Sequence, residues 1–256
     1  MNDAAESPPP QRPLLPPHVP LTEYYADEPG RLRFVQRIFD DTAQDYDRIE
    51  RVLALGSGRW YRRKALQRAG LAAGDAVLDV GIGTGLLARE ALALIGPRGR
   101  LIGVDPSPGM IGQVDLPGVE LIPGLAEALP RGDASADVVT MGYALRHIAD
   151  LAAAFAEFHR VLRPGGRLLM LEITRPRGDR AASLLKLYMR VMVPSIARVV
   201  AQRRQTAELW RYFWDTVEAC VAPEVVLAAL REAGFRDVRR HLELGIFSEY
   251  TAVKAA

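Results

Sequence analysis

The chain has 256 residues, 49% apolar and 25% charged, a balance typical of a folded globular domain and not of a disordered or fibrous protein. A net charge of +2 is far from the dense basic patch of a nucleic-acid-binding protein, so we expect no nucleic-acid partner. The single cysteine, Cys220, excludes an internal disulfide, and with no apolar leader or membrane-length apolar run it indicates a cytoplasmic protein.

The N-terminal part of the sequence is rich in proline, as in ESPPPQRPLLPPHVP. Proline has no amide donor for a helix or a sheet, so we expect a disordered arm over residues 1–22. The remainder, 23–256, predicts one domain. Within it, residues 23–70 place apolar side chains at helical spacing, which predicts a helical preface.

Short apolar runs separated by helical stretches follow the preface. The runs are AVLDV, RLIGVD, VELIP, ADVVTMG and GRLLMLEI, with helical segments such as LLAREALALI between them. Buried strands that alternate with helices predict an α/β fold, a Rossmann-like, doubly wound, mostly parallel sheet with helices on both faces. Residues 178–221 add a helical insertion before two closing strands, and Pro194 is expected to break it into a hinged lid.

The first apolar run ends in a glycine-spaced turn, VLDVGIGTG, that leads directly into a helix. Gly81, Gly83 and Gly85 allow a sharp bend and let a ligand approach the free N–H groups at the start of the helix. The spacing differs from the GxGxxG of dinucleotide sites, because Leu86 follows Gly85. Asp105 ends the next run, where a carboxylate can accept both hydroxyls of a ribose. Together these residues predict a nucleoside site, with a ligand-free turn as the alternative.

The segments VLDVGIGTG, GVDPSPGM, LPRGDASADVVT and VLRPGGRLLMLEI resemble those of class I S-adenosylmethionine-dependent methyltransferases. More narrowly, FDDTAQDYDRIERVLALGSGRWYRRKAL, YALRHIAD, LEITRP and MVPSIARVVA are similar to the ubiquinone and menaquinone biosynthesis C-methyltransferases. The resemblance covers most of the chain. It implies a seven-stranded sheet, S-adenosylmethionine as cofactor at the carboxyl ends of the first strands, no metal, and C-methylation of a quinol-like or phenolic small molecule.

The resemblance also assigns cofactor contacts to residues of this sequence. Thr84 and its glycines would hold the methionine moiety, Asp105 the ribose, and Leu125 and Ala126 the adenine, with Gly142 at the edge of the sulfonium pocket. The full set of expected cofactor-binding residues is Tyr46, Asp79, Gly81, Gly83, Thr84, Gly85, Asp105, Pro106, Ser107, Met110, Leu125, Ala126 and Gly142.

Three further side chains are assigned roles around the cofactor. Met110 would pack on the adenine. Asp79 would anchor the loop or the amino group of the methionine moiety, or serve only as a structural acid. Tyr46 would close over the cofactor, or serve only as an aromatic core residue of the preface.

The stretch MGYALRHIAD places Arg146 and His147 side by side after the fourth strand. Arg146 could stabilise a phenolate or enolate while His147 takes the proton, which would give methylation of the carbon ortho to the oxygen. The same pair would serve O-methylation. The alternatives are a loop histidine bonded to the backbone and an arginine paired with Asp150 or Glu172.

Three positions depart from the family pattern. Glu50 and His147 each replace a usual asparagine, and Leu125 replaces a usual polar residue in the adenine loop. Glu50 and His147 favour a rival function, O- or N-methylation of another small molecule such as a specialised metabolite or a phospholipid headgroup. Leu125 leaves room for a non-catalytic accessory protein that only binds the cofactor.

The insertion combines aromatic residues with a basic, apolar helix. Trp210, Tyr212, Phe213 and Trp214 could stack on an acceptor, although core packing would account for at least two of them. The basic residues of 175–198 alternate with apolar ones, as in a helix that touches anionic lipid or in a solvated lid face. We therefore expect an aromatic or apolar small-molecule acceptor, and we keep peripheral contact with the inner membrane and a homodimer as further expectations.

Overall fold

A computed structural model of the chain describes residues 13–53, 57–195 and 205–256. Its centre is a seven-stranded sheet, with strands β1 (Ala76–Val80), β2 (Arg100–Asp105), β3 (Glu120–Pro123), β4 (Ala136–Gly142), β5 (Leu162–Ile173), β6 (Phe235–Glu243) and β7 (Phe247–Lys254). The strand order is β3-β2-β1-β4-β5-β7-β6. Only β7 runs against its neighbours, since it pairs antiparallel with β5 and β6 while the other pairs are parallel. The predicted doubly wound α/β fold is confirmed.

Helices cover both faces of the sheet and precede it in the chain. They are α1 (Glu28–Leu53), α2 (Ser57–Arg68), α3 (Leu86–Ile95), α4 (Pro108–Ile111), α5 (Leu151–Val161), α6 (Asp179–Leu187), α7 (Gln205–Ala219) and α8 (Pro223–Glu232). A 3-10 turn (Leu145–His147) follows β4, and a π-helix (Tyr188–Met192) follows α6. Among these described helices, none is both long enough and apolar enough to cross a membrane.

The continuous apolar runs of the strands are buried on both sides. Phe155 and Phe158 of α5 and Leu230 of α8 pack against one face of the sheet. Leu87 and Ala91 of α3 pack against the other. Burying a side chain as large as phenylalanine or leucine contributes about 2 kcal/mol, so these layers hold the strand ends in a fixed relation to one another.

The strand order reverses at β1, which has β2 on one side and β4 on the other. In a doubly wound sheet the loops at such a reversal turn to opposite faces, and a crevice opens at the carboxyl ends of the strands. Gly81 follows β1, Asp105 ends β2 and Gly142 ends β4. The fold therefore brings these three residues to one crevice.

Part of the N-terminal arm is packed against the domain, which corrects the expectation of disorder through residue 22. The amide of Leu151 donates to the carbonyl of Leu15, and the amide of Val221 donates to the carbonyl of Pro17. His18 is buried and pairs with Cys220 in an isolated β-bridge. Prolines lack a donor but keep their carbonyls, so the extended segment can accept hydrogen bonds from neighbouring amides. Residues 1–12 lie outside the described residues.

Helical conformation continues through Pro194 to residue 195, where the described part of this segment ends, so the break at this proline stays a prediction. The π-helix lies directly before it, and the amide of Val193 donates to the carbonyl of Tyr188. This wider turn relieves the conflict between the proline ring and the preceding carbonyls. The following residues of the predicted lid, 196–204, lie outside the described residues.

Candidate active site

An open cleft lies over the carboxyl ends of β1, β2 and β4, with about 1060 Å³ of empty space that is partly continuous with solvent. Residues from α1, α2 and the loops after four strands line it. All the expected cofactor residues except Gly85 lie on its wall: Tyr46, Asp79, Gly81, Gly83, Thr84, Asp105, Pro106, Ser107, Met110, Leu125, Ala126 and Gly142.

The glycine loop needs its glycines for different reasons. Gly81 has φ +69°, and a Cβ there would lie 2.6 Å from the Cβ of Ala144. Gly83 has φ +57° and faces open space. Gly85 is not among the residues that line the cleft, and its assignment as a cofactor contact stays a prediction. It precedes α3 with φ +86°, and a Cβ there would lie 2.9 Å from the side chain of Leu116, so it serves the turn and the packing.

Asp105 is held in place by backbone amides. The amide of Gly83 donates to its Oδ2 at 2.8 Å and the amide of Ser107 donates to its Oδ1 at 2.9 Å. Burial raises the pKa of Asp105 to about 6, although these two bonds favour the charged form. Each carboxylate oxygen has a second lone pair, so both oxygens can still accept a hydroxyl from the cleft.

Asp79 has one carboxylate oxygen in use and one unpaired. The hydroxyl of Thr140 donates to Oδ1 at 2.6 Å, whereas Oδ2 has no hydrogen-bond partner among the described residues. Burial raises the pKa of Asp79 to about 7. A buried, unpaired carboxylate oxygen beside a cleft is costly unless a ligand supplies a donor, and a cationic donor would fit best.

The preface helix α1 forms one wall of the cleft. The hydroxyl of Thr84 donates to Oδ1 of Asp47, which ties α1 to the glycine loop. The ring of Tyr46 lines the cleft and also stacks on Trp210 of α7, with 6.1 Å between ring centres. Burial raises the pKa of Tyr46 to about 12, so its phenol stays neutral. Both expected roles of Tyr46, as a cleft residue and as a packing residue, therefore fit its position.

His147 lines the cleft with an imidazole that has no hydrogen bond among the described residues. Its ring lies edge-on to Phe39 at 5.0 Å and stacks on Tyr212 at 5.6 Å. Burial first, and then repulsion from Arg146, holds the pKa of His147 well below its usual range. The imidazole is therefore neutral at neutral pH, with one N–H to donate and one lone pair to accept.

Arg146 points away from the cleft, which corrects its assignment as a group that contacts the acceptor. Its side chain is fully buried, and Nε donates to Oε1 of Glu172 at 2.8 Å. Nη1 donates to the carbonyl of Phe213 and to the hydroxyl of Thr216, both on α7. The pairing with Glu172, one of the alternatives that the sequence left open, is the arrangement found. The 3-10 turn directs residues 146 and 147 to different sides.

The aromatic residues of the insertion belong to the core. Trp210, Tyr212, Phe213 and Trp214 are all buried against α1 and the α6 region, and none lines the cleft. The hypothesis that they stack on an acceptor is therefore not supported by their position. They affect the cleft only indirectly, because Trp210 contacts Tyr46 and Tyr212 contacts His147.

Sequence reasoning missed several cleft residues. Arg62 of α2 lies on the wall, and Gln36 and Phe39 of α1 do so as well. WYRRKAL contains neighbouring arginines, and only the helix orientation decides that Arg62 is buried. Tyr143 also lines the cleft and has φ +61°, an unusual conformation for a bulky residue. Its place directly after β4 was the available signal, since strained residues cluster at functional sites.

This sheet, the glycine loop, the acid that ends β2 and the cleft above them define a class I methyltransferase. Solved structures share the fold. An S-adenosylmethionine-dependent methyltransferase of Thermotoga maritima aligns with a TM-score of 0.58 and 21% identity, covering 86% of this chain and 99% of that one. Another, from Aquifex aeolicus, aligns with a TM-score of 0.54 and 18% identity, covering 89% and 99%.

Sequence comparison identifies the family. The ubiE/COQ5 methyltransferase family matches residues 27–254. The ubiquinone/menaquinone biosynthesis C-methyltransferase UbiE of Hahella chejuensis is 31% identical over 246 residues, covering 93% of this chain and 95% of that protein. The demethylmenaquinone methyltransferase of Mycobacterium sp. strain KMS is 34% identical over 221 residues, covering 86% and 94%. The chain belongs to the ubiE/COQ5 methyltransferase family and is an S-adenosylmethionine-dependent methyltransferase.

Proposed function

We propose that the cleft binds S-adenosylmethionine in one defined orientation. Asp105 accepts hydrogen bonds from the ribose hydroxyls, and the unpaired Oδ2 of Asp79 accepts one from the ammonium of the methionine moiety. Leu125 and Met110 contact the adenine. The support is the fit of donors to acceptors, because Asp79 has a buried oxygen without a partner among the described residues and Asp105 has free lone pairs.

We propose further that the acceptor is a quinol-like or phenolic small molecule and that the methyl group goes to a ring carbon. The names of the relatives are one support, since they describe ubiquinone, menaquinone and demethylmenaquinone methylation. The single structural observation that carries the phenolic acceptor is His147, whereas methylation of a ring carbon rests on the names of the relatives. A neutral imidazole between the rings of Phe39 and Tyr212, with both nitrogens unpaired among the described residues, suits the hydroxyl of an aromatic acceptor.

In this mechanism His147 binds the acceptor hydroxyl and takes its proton. When bound, S-adenosylmethionine supplies an electrophilic methyl group and a positive charge that stabilises a nearby phenolate. Moving a proton from a phenol of pKa about 10 to an imidazole of pKa about 6.5 costs about 4.8 kcal/mol, and the lowered pKa of His147 increases that cost. His147 therefore accepts the hydroxyl proton as the acceptor carbon attacks, and not in a separate earlier step. The imidazolium then returns a proton to the oxygen and the methylated ring carbon loses its hydrogen as a proton to solvent, which restores the aromatic ring and the hydroxyl.

The other cleft residues align the reactants and exclude water. In this step positive charge leaves the sulfur, His147 becomes positively charged and no free anion forms, so the reaction needs alignment more than it needs an oxyanion hole. Phe39, Tyr46 and Tyr143 supply apolar surface around the reacting groups. Arg146 is a positioning residue, because it ties the turn that carries His147 to β5 and α7.

The proposed function is tested with the purified protein, S-adenosylmethionine and a panel of hydroquinones and phenols. C-methylation gives a product that is one methylene heavier and keeps every exchangeable hydroxyl proton. O-methylation gives the same mass with one hydroxyl proton fewer and would support the rival function. Cofactor binding without turnover on any acceptor would support the accessory-protein alternative.

We propose peripheral contact with an anionic membrane through α6 and the π-helix. Four apolar side chains there are at least half exposed, and the basic side chains of Arg180 and Arg190 are also exposed on these elements. The apolar residues are Leu184, Leu187, Val191 and Met192. Exposed apolar side chains beside arginines are typical of a helix that lies at a lipid surface. Cytoplasmic location and a homodimer stay predictions of the sequence.

A further inference from the structure

Arg62 is the one arginine or lysine among the described residues that line the cleft. Only 5% of its side chain is exposed, and Nη2 donates to Oε1 of Glu50 at 2.7 Å. Gly58 leaves room for this pair, because a Cβ there would lie 2.5 Å from Oε1 of Glu50 and 2.8 Å from Nη1 of Arg62. A guanidinium has five N–H donors, so the bond to Glu50 leaves donors for a ligand.

Arg62 lies on the β4 side of the cleft. Its Cζ is 5.9 Å from the centre of the Tyr143 ring, and Tyr143 directly follows β4. Asp105 ends β2, on the other side of β1. Neighbouring strands are about 4.8 Å apart, so the ends of β2 and β4 are separated by about 10 Å with the glycine loop between them.

The positions of Asp105, Leu125 and Arg62 indicate how the cofactor would lie along the cleft. In S-adenosylmethionine the ribose lies between the adenine and the methionine moiety. With the ribose at Asp105 and the adenine beside Leu125, which follows β3, the methionine moiety extends across the glycine loop toward β4. Its α-carboxylate then reaches the part of the wall that Arg62 forms.

We propose that Arg62 binds the α-carboxylate of the cofactor, an inference that rests on the proposed function. The described wall also carries the carboxyl groups of Asp79, Asp105 and Glu127, which would repel a carboxylate that had no cation beside it. An arginine offers paired N–H donors that match the two oxygens of a carboxylate. Glu50, which is not among the residues that line the cleft, holds the guanidinium through its hydrogen bond to Nη2.

Calorimetric titration tests this with two ligands, S-adenosylmethionine and its decarboxylated analogue, which differ only in the carboxylate. A hydrogen bond to a charged group is worth about tenfold or more in affinity. We expect Arg62→Gln to weaken binding of S-adenosylmethionine by at least that factor and to leave binding of the decarboxylated analogue unchanged. Arg63→Gln is the matched control, since Arg63 is the next residue of α2, is 46% exposed and pairs with Glu90. It should change neither affinity.

Other outcomes overturn the proposal. Equal weakening of both ligands would mean that Arg62 only shapes the wall. An unchanged affinity for S-adenosylmethionine, with a raised KM for the acceptor, would place Arg62 at the acceptor. If circular dichroism shows that Arg62→Gln does not fold, Arg62→Lys is titrated instead. Lysine keeps the positive charge but not the paired N–H donors, so this variant should keep only part of the difference in affinity between S-adenosylmethionine and the decarboxylated analogue. Failure of the unaltered protein to bind either ligand would instead contradict the proposed function.

Discussion

Arg146 and Glu172 form a fully buried ion pair, with 2.8 Å between Nε and Oε1, behind the turn that carries His147. Removing one partner of such a pair leaves a buried charge without compensation, which costs about 3–5 kcal/mol. We expect Glu172→Ala to lower the free energy of unfolding by an amount in this range. Urea denaturation with an unchanged m-value measures it.

The control for this pair is the exposed ion pair of Lys186 and Glu218. Lys186→Ala should lower the free energy of unfolding by less than about 1 kcal/mol, because solvent screens the interaction. The double variant Arg146→Met with Glu172→Leu should be more stable than Glu172→Ala, since it leaves no buried charge. A small effect of Glu172→Ala would contradict the buried pairing.

Substitutions at Gly81 and Gly83 should affect different properties, the first mainly the stability of the protein and the second mainly cofactor binding. Gly81→Ala combines a left-handed conformation with a Cβ 2.6 Å from that of Ala144, so we expect a loss of stability well above the strain of about 1–2 kcal/mol alone. Gly83→Ala carries that strain without a clash in the protein, but its methyl group enters the cleft. We expect it to weaken cofactor binding most. Urea denaturation measures the stability of both variants, and calorimetric titration measures their affinity for the cofactor. The prediction is wrong if the same variant shows both the larger loss of stability and the larger loss of affinity.

Cofactor affinity should depend on pH through Asp79. Its pKa is raised to about 7, so the carboxylate that attracts the ligand ammonium is present above pH 7 and is lost as the pH falls. The α-amino group of the ligand stays charged below its ordinary pKa of about 7.7–8.0. We expect the dissociation constant to rise as the pH falls from 7.5 to about 6, by at most about tenfold per pH unit.

Asp79→Asn is the control, because an asparagine oxygen can still accept the bond from Thr140. It should bind the cofactor more weakly at pH 7.5 and lose the pH dependence near 7. A remaining dependence near pH 6 is expected from Asp105, whose pKa is raised to about 6. An unaltered dependence near pH 7 in the variant would remove Asp79 from the binding site.

Replacement of His147 distinguishes a base from a hydrogen-bonding group. His147→Asn can still bond an acceptor hydroxyl but cannot take its proton, whereas His147→Ala can do neither. If His147 is the base, both variants should lose kcat to a similar extent, of the order of 10²-fold or more, with little change in cofactor affinity. Retained kcat in His147→Asn would show that only the hydrogen bond matters.

The apolar face of α6 and the π-helix predicts binding to anionic lipid vesicles. We expect the protein to co-sediment with anionic vesicles more than with zwitterionic ones, and the double variant Leu184→Ser, Leu187→Ser to reduce this. Leu244→Ser is the control, since Leu244 is 79% exposed between β6 and β7. Equal sedimentation of the double variant and the control would contradict membrane contact through this face.

Much of the fold and of the cleft could be predicted from the sequence. The apolar runs are continuous because the strands are buried on both faces, and this pattern indicates a covered parallel sheet. Gly81, Gly83 and Asp105 were found because strand ends in such a sheet meet at one edge. Local patterns and a general rule of topology were sufficient for these residues.

The roles of neighbouring residues could not be predicted in this way. Arg146 and His147 are adjacent, yet the guanidinium of Arg146 lies in the interior with Glu172, whereas the imidazole of His147 lies in the cleft. Arg62 and Arg63 differ in the same manner on α2. The members of each pair are adjacent and share the same local sequence pattern, so the pattern does not state which side chain is buried.

The sequence by itself determined the α/β fold, the position of the glycine loop and the family, because these depend on local periodicity and on motifs. Only the tertiary structure decided that Arg62 lines the cleft, that Arg146 lies outside it and that Leu15, Pro17 and His18 pack on the domain. Burial and pairing of a side chain are set by helices and strands that are distant in the chain. For Arg146 these are β5 and α7, which supply Glu172 and Thr216.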